Sequence, residues 1–210
     1  MSREFILGRV RSALGRKTGQ VVPPPPPVWL LDTDWTLEEK LASFKEKLER
    51  LAGVVHMADS PENAREIVAS LISGKTAVVS NATLLAELGI TRLPGVTAAG
   101  QDSEQSRKLC AECSFGITGA AFALAQTGTL VMRANSQEAR LVSLLPPLHV
   151  AVVRKEQLIV DLDELLTKIP KPVEDSSSMV LITGPSRTGD IEQILVRGVH
   201  GPGVVHVVFL

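Results

Sequence analysis

The stretch Val204-Val205-His206-Val207-Val208-Phe209-Leu210 is apolar at nearly every position. Successive side chains of a strand point to opposite faces of a sheet, so a run of this kind predicts a strand that is buried on both faces. Such strands occur where helices cover both faces of a parallel sheet. The run therefore predicts an α/β fold.

The preceding chain alternates helical patterns with short β-branched runs. Thr36 and Glu39 form a capping box ahead of apolar residues at helical spacing, and Gly53 stands at the predicted helix end. A second helix is predicted from Ser60-Pro61 to Gly74. Strands are predicted at 54–57 and 76–80. The alternation of short β-branched runs with helices then continues through 128–133, 149–154, 162–169, 179–183 and 191–196. This alternation predicts a three-layer α/β protein with a mostly parallel sheet and helices on both faces.

Composition limits the class of protein. The 210 residues include 22 Lys and Arg, 23 Asp and Glu, and 44% hydrophobic residues, which is typical of one domain with a sizeable core. A net charge of −1 argues against a nucleic-acid partner. No apolar run approaches the ~20 residues that span a bilayer. We therefore expect a cytoplasmic protein with no membrane span.

The N-terminal region differs from the rest. Five apolar residues recur there at helical spacing and predict an amphipathic helix: Phe5, Ile6, Val10, Ala13 and Leu14. Five consecutive prolines, Pro23 to Pro27, follow and predict a stiff polyproline II spacer. We expect this helix and spacer to occupy residues 1–27 and a single α/β domain to occupy residues 28–210.

The two cysteines, Cys110 and Cys113, form a C-x-x-C pair. An iron–sulfur cluster ordinarily needs four thiolates and a structural zinc ion four ligands, so this pair is insufficient for either. A redox pair of the thioredoxin type would open a helix, whereas here a strand is predicted from Phe115 to Thr118. We expect free cysteines in a reducing compartment, with no intrinsic metal or cofactor.

Three stretches are unlike ordinary scaffold. They are Gly116 to Leu130, Ser143 to Val150, and Ile182 to Glu192 together with Gly198 to Gly203. In this order and spacing they resemble the LUD domain family, which includes the lactate utilization C proteins (LutC/YkgG type). The resemblance is close from about Phe115 to Leu210.

The resemblance implies a fold and a role. The fold would be similar to the ribose-phosphate isomerase and CoA-transferase group. The role would be the oxidation of L-lactate to pyruvate, with iron–sulfur clusters in partner subunits. The chain departs from the family at Ala121 and Gln126, where acidic residues often stand. Neither side chain can serve as a general base or carboxylate nucleophile, which weakens a catalytic role borrowed from CoA transferases.

A ligand site is predicted mainly at the third stretch. A strand ending at Thr183 would turn at Gly184 into a helix that begins near Gly189, and Arg187 would bind an anion such as lactate there, at the carboxyl edge of the sheet. The alternative is that these residues only cap the helix or stay solvated. Thr127-Gly128-Thr129 has the same two interpretations. The predicted ligand-binding residues are Thr118, Gly119, Gln126, Thr127, Gly128, Thr129, Thr183, Gly184, Ser186, Arg187 and Thr188.

The histidines are predicted to be structural. His200 is expected at the amino edge of the sheet, opposite Arg187, and His149 at the start of a strand. His206 is expected to be buried in the last strand and hydrogen-bonded, and no motif surrounds His56.

Three functions follow from these observations. The leading hypothesis is a subunit, without a redox cluster of its own, of an L-lactate-oxidizing complex. The second is an independent enzyme that binds small acids or CoA esters. The third is a regulatory or scaffold protein that engages a partner through its N-terminal helix and proline spacer.

Overall fold

A computed structural model describes residues 2–15, 19, 21, 34–100, 103–189 and 196–210. The chain divides into two compact units, Met1–Asp32 and Thr33–Leu210. The helices of the described residues are α1 (Arg3–Ala13), α2 (Leu37–Arg50), α3 (Pro61–Leu71), α4 (Thr83–Glu87), α5 (Ser103–Glu112), α6 (Arg140–Leu144), α7 (Leu162–Lys168) and α8 (Pro172–Asp175). The strands are β1 (Val54–Met57), β2 (Ala77–Val79), β3 (Val96–Ala98), β4 (Phe115–Gly119), β5 (Phe122–Leu124), β6 (Thr129–Arg133), β7 (Leu148–Val153), β8 (Leu158–Ile159), β9 (Met179–Ile182), β10 (Arg187–Thr188), β11 (Val196–Arg197) and β12 (Val204–Phe209).

The main sheet has six strands in the order β1-β12-β7-β4-β2-β3, and every neighbouring pair is parallel. The mostly parallel α/β fold predicted from the sequence is therefore confirmed. β12 lies between β1 and β7, with Val207 in register with Val55 and Ala151. The apolar run at 204–210 is thus an interior strand, and its Val205, Val207, Val208 and Phe209 side chains are buried.

A second, smaller sheet has the order β8-β5-β6-β9. Its strand β6 is antiparallel to both β5 and β9, and β5 is parallel to β8. The predicted strands at 128–133 and 179–183 are present, but they pair with each other and not with the main sheet. A short antiparallel ladder joins Arg187 to Arg197 and Thr188 to Val196.

The core is arranged in layers around the main sheet. One face packs against α3 and α4, where Val68 and Leu85 are buried with Val79, Ile117 and Val152. The other face packs against α2, α5, α6 and the second sheet. There the rings of Phe44 in α2 and Phe209 in β12 meet edge to face, with centroids 5.1 Å apart. The outer side of the second sheet is covered by α7 through Leu165 and Ile169.

Two predicted helix starts are confirmed in detail. Thr36 caps α2: its hydroxyl accepts the Glu39 backbone N–H, and the Glu39 carboxylate accepts the Thr36 N–H at 2.8 Å. Ser60 accepts the Asn63 N–H at the start of α3, where Pro61 is the first helical residue. These local patterns were sufficient to locate both helices.

The first unit contains α1, which Ser2 caps by accepting the Phe5 N–H. The apolar side chains Phe5, Ile6, Val10 and Leu14 are about half exposed or more. Pro23 to Pro27 lie outside the described residues. Within the described part of the chain, no helix has both the length and the apolar character needed to cross a membrane.

Candidate functional site

The carboxyl ends of β2 and β4 meet at a buried junction, termed the crevice, where Ser80 and Gly119 lie. These strands are neighbours, but the chain continues from β2 to β3 on one side and from β4 to β7 on the other. Such a reversal is a topological switch point, and ligands of open α/β sheets bind beside it, outside the carboxyl ends of the strands. Ser80 follows β2 here, and Gly119 ends β4.

Glu138 lies directly over this point. Its Oε1 accepts the backbone N–H of Gly119 at 2.9 Å. The loop that carries Glu138 is held by the Asn81 N–H, which donates to the Gln137 carbonyl at 2.8 Å. The side chain of Asn135 completes the loop by accepting the N–H groups of Gln137 and Glu138. The carboxyl group is thereby fixed against the edge of the sheet.

The electrostatics of this carboxyl group are unusual. Burial raises the pKa of Glu138 to about 7, against the opposing effects of Ser80 and the Gly119 N–H. The Ser80 hydroxyl is fully buried, but its contact with the carboxyl falls short of a hydrogen bond of normal geometry. Glu138 also lines a small neighbouring cavity, together with Arg133, Arg140, Ser143 and Ser178. A carboxyl group with this pKa is present in both protonation states near neutral pH.

Sequence reasoning did not single out Glu138. It lies 19 residues after Gly119, in the polar segment Asn135–Glu138, which resembles any solvated loop. The absence of acidic side chains at Ala121 and Gln126 weakened the expectation of a catalytic carboxylate of the CoA-transferase kind. The fold brings the carboxyl group of Glu138 to Gly119 from the loop before α6. The only local signal was the Asn135 turn, which orients Glu138 but does not reveal its partner.

Thr118 lies in the interior and not in the crevice. Its Oγ1 is 2.8 Å from Nε2 of His149, and both side chains are buried. Desolvation lowers the pKa of His149 to about 4, so the imidazole is neutral at physiological pH. The predicted structural role of His149 agrees with this geometry.

Five predicted ligand-binding residues come together beside the end of α2. The hydroxyl groups of Thr127, Thr129 and Thr183 form a chain with oxygen distances of 2.7 and 2.9 Å. A Cβ added to Gly128 would lie 2.7 Å from the backbone nitrogen of Leu48, and one added to Gly184 would lie 3.1 Å from Cβ of Leu51. Both glycines also have positive φ. Their glycine identity follows from close packing against α2.

The residues after Gly184 lie elsewhere than predicted. Ser186 donates its N–H to the Pro202 carbonyl, and Gly203 donates to Pro147, which precedes β7. The segment therefore lies at the amino edge of the main sheet, and the predicted placement at its carboxyl edge is wrong. The reason is that β9, which leads into this segment, belongs to the second sheet.

Arg187 has a specific partner in this position. Its Nη2 donates to the Leu51 carbonyl at the C-terminal end of α2. Thr188 pairs with Val196 in the short ladder. The helix predicted from near Gly189 falls on residues 190–195, outside the described residues. A cation at a helix C-terminus satisfies its carbonyl groups and offsets the helix dipole.

Gln126 and His200 are both exposed. Gln126 donates its backbone N–H to the Val160 carbonyl. The loop of His200 is at the amino edge, as predicted, but the prediction that it lies opposite Arg187 is wrong. Gly198 donates to the Ser186 carbonyl, so the loop and the Arg187 segment are adjacent.

The remaining histidines form a pair on neighbouring strands. Nε2 of His56 lies 3.0 Å from Nδ1 of His206, and the rings stack. Desolvation lowers the pKa of both, and for His206 the proximity of His56 adds to the effect. His206 is hydrogen-bonded, as predicted, but it is half-buried, whereas the sequence predicted a buried side chain.

Cys110 and Cys113 are free thiols in the structure, and both are buried. Burial raises the pKa of Cys110 to about 11 and also raises that of Cys113. A neutral thiol is a poor nucleophile and a poor metal ligand. Among residues 34–100, 103–189 and 196–210, no three His, Cys, Asp or Glu side chains are grouped so that they could hold a metal ion.

Comparison with known proteins gives the family. The model of the LUD domain matches residues 41–210, which include the main sheet, the second sheet and the Glu138 crevice. The chain belongs to the LUD domain family. The resemblance inferred from the three sequence stretches is therefore confirmed.

Relatives of this LUD domain cover nearly the whole chain. Lactate utilization protein C 1 of Bacillus mycoides is 32% identical over 96% of this chain and 93% of that protein. Lactate utilization protein C of Bacillus subtilis is 28% identical over 96% of this chain and 92% of that protein. A solved DUF162 family protein from Deinococcus radiodurans has a TM-score of 0.64 at 19% identity, covering 83% of this chain and 98% of that one. This last similarity shows the shared α/β fold.

Proposed function

We propose that the chain acts in lactate utilization as a subunit, without a redox cluster of its own, of a complex that oxidizes L-lactate to pyruvate. The observation that carries the proposal is the similarity to lactate utilization C proteins, which extends over 96% of the chain. It includes the N-terminal region as well as the LUD domain. A conserved role of the whole chain is the simplest account of similarity along its whole length.

The chemistry of the chain supports partner subunits as the carriers of the redox centres. Oxidation of a hydroxy acid requires an electron acceptor, and iron–sulfur clusters are held by cysteine thiolates. This sequence has two cysteines. Both are buried with raised thiol pKa values, which disfavours the thiolate form. We therefore propose that iron–sulfur partners supply the acceptor and that this subunit binds a small carboxylate.

Growth and co-purification test this proposal. A strain that lacks the gene should fail to grow on L-lactate as the sole carbon source but grow normally on pyruvate, and the wild-type gene should restore growth. The tagged chain, purified anaerobically from lactate-grown cells, should bring down proteins that contain iron and acid-labile sulfide. Normal growth of the deletion strain on L-lactate would refute the proposed role.

A pair of glycine variants tests whether the crevice is needed. A Cβ at position 119 would lie 2.8 Å from Oε1 of Glu138, whereas one at position 8 would meet nothing within 4 Å. We expect the Gly119→Ala gene to restore growth poorly and the Gly8→Ala gene to restore it fully. Thermal melting should establish that both variants are folded.

A further inference from the structure

The crevice at the ends of β2 and β4 already contains a carboxylate from the protein itself. Oε1 of Glu138 accepts the Gly119 N–H, and the carboxyl group lies against the buried Ser80 hydroxyl. A backbone N–H and a hydroxyl at a switch point are donors that a bound carboxylate would use. Oε2 of Glu138 is buried without a hydrogen bond of normal geometry.

We propose that the Gly119 N–H and the Ser80 hydroxyl form a binding site for a small carboxylate, and that Glu138 occupies this site as an internal ligand until the carboxylate displaces it. The loop 134–139 would then act as a lid over the switch point. A ligand carboxylate and the Glu138 carboxylate cannot both accept the single N–H of Gly119.

The contacts of Glu138 make such an exchange feasible. A carboxylate that is well accommodated has a low pKa, because hydrogen bonds to its charged form outweigh the cost of burial. For Glu138 the balance is reversed, since burial dominates and raises its pKa to about 7. The charged side chain is therefore poorly stabilised in the position that it occupies. Movement to solvent would restore its hydration.

The charges around the crevice favour an anion. Arg133 and Arg140 line a small cavity next to the crevice, and Glu138 lies between the two. A guanidinium group can bind a carboxylate through two parallel hydrogen bonds. Displacement of Glu138 removes a negative charge from beside these arginines and leaves their positive charge next to the crevice. The chemical class of ligand is thus a small monocarboxylate.

This inference rests on the proposed function only for the choice of L-lactate as one probe. Acetate, which has a carboxylate and no hydroxyl group, tests the site itself. If deletion of the gene leaves growth on L-lactate intact but acetate binds as described below, the proposed function fails and the carboxylate site at Gly119 and Ser80 stands. If growth is lost but acetate binding does not respond to Glu138, the site fails and the proposed function stands.

The decisive experiment compares variants of the full chain by isothermal titration with acetate and with L-lactate. Glu138→Ala removes the internal ligand, so we expect it to bind both probes at least about tenfold more tightly than the wild type at about pH 8. Glu164→Ala is the matched control, because Glu164 also accepts a backbone N–H, that of Val160 at 2.8 Å, but away from the crevice. It should bind like the wild type.

A second measurement on the wild-type protein does not depend on folding of a variant. Glu138 is largely protonated in the crevice below its pKa of about 7 but is ionised once it is displaced to solvent, so displacement releases a proton, and acetate should bind several-fold more tightly at about pH 8 than at about pH 6. Burial keeps His149 neutral over this range. The Gly119 amide resonance should shift on titration. Acetate binding that is weaker in Glu138→Ala, or independent of pH in the wild type, would overturn the proposal, and the first result would instead assign Glu138 to direct binding of the ligand.

Discussion

Gly116 of β4 lies against the carbonyl oxygen of Val142 in α6. A Cβ added to Gly116 would be 1.8 Å from that oxygen and 3.1 Å from the ring of Pro146. The glycine therefore permits α6 to pack directly on the main sheet. Because α6 follows Glu138, this contact also determines how closely the Glu138 loop approaches Gly119.

Replacement of this glycine should be severely destabilising. Gly116→Ala places a methyl group inside a backbone contact, so either α6 or β4 must move. We expect the free energy of unfolding to fall by about 3 kcal/mol, measured by urea denaturation. Gly8→Ala, where there is open space around the added Cβ, should leave it unchanged. A Gly116→Ala protein as stable as the wild type would show that the α6 contact is looser than described.

The parts of the fold that could be predicted are those with a local cause. The capping box at Thr36 and Glu39 and the apolar run at 204–210 involve neighbouring residues, and both formed as predicted. The division into two sheets has no such cause. β6 and β9 are apolar runs like those of the main sheet, and their antiparallel pairing joins residues about fifty positions apart, for example Val131 and Leu181.

The candidate site shows the same limit. The stretch around Gly119 was identified from its composition, but its partners come from β2 and from the loop before α6. Ser80 reaches it because β2 and β4 are neighbours in the sheet, and the Glu138 loop is held there by the Asn81 N–H, which donates to the Gln137 carbonyl. The Arg187 segment was placed at the carboxyl edge because a strand precedes it, and the sequence does not reveal to which sheet that strand belongs.

Arg187 should contribute to stability through the end of α2. Arg187→Ala removes the donor to the Leu51 carbonyl. We expect the free energy of unfolding to fall by about 1 kcal/mol, with acetate affinity unchanged. Arg197→Ala is a suitable control, because Arg197 is the exposed residue directly across the ladder. If Arg187→Ala weakens carboxylate binding tenfold at unchanged stability, the anion site predicted from the sequence is correct and the capping role is not.

The cysteines should resist modification in the native protein. Both thiols are buried, and the raised pKa of Cys110, about 11, leaves almost no thiolate at neutral pH. Iodoacetamide should therefore alkylate neither residue of the native chain at about pH 7. After denaturation it should alkylate both. Mass spectrometry follows the reaction, and rapid alkylation of the native protein would contradict the described burial.

The pH dependence of stability should reveal Glu138 and His149 as opposing groups. The pKa of Glu138 is raised to about 7 in the folded state, so its contribution is fully present below the unfolded pKa of 4.5 and is lost as pH rises through about 7. The pKa of His149 is lowered to about 4, so its contribution is present above the unfolded pKa of 6.5 and is lost as pH falls toward 4. Acidification from neutral pH thus strengthens the first contribution and weakens the second.

Glu138→Gln separates the two contributions. The variant keeps the size of the side chain and an oxygen that can accept the Gly119 N–H, but it does not titrate. Between about pH 7 and about pH 5, its free energy of unfolding should therefore fall by about 2 kcal/mol more than that of the wild type. Urea denaturation of both proteins at the two pH values measures this difference. The contributions of His149, His56 and His206 are common to both proteins and therefore cancel. If the free energies of unfolding of the two proteins changed equally with pH, Glu138 would titrate as an ordinary solvated carboxyl group. Burial would then not destabilise its charged form, and nothing would favour its displacement from the crevice.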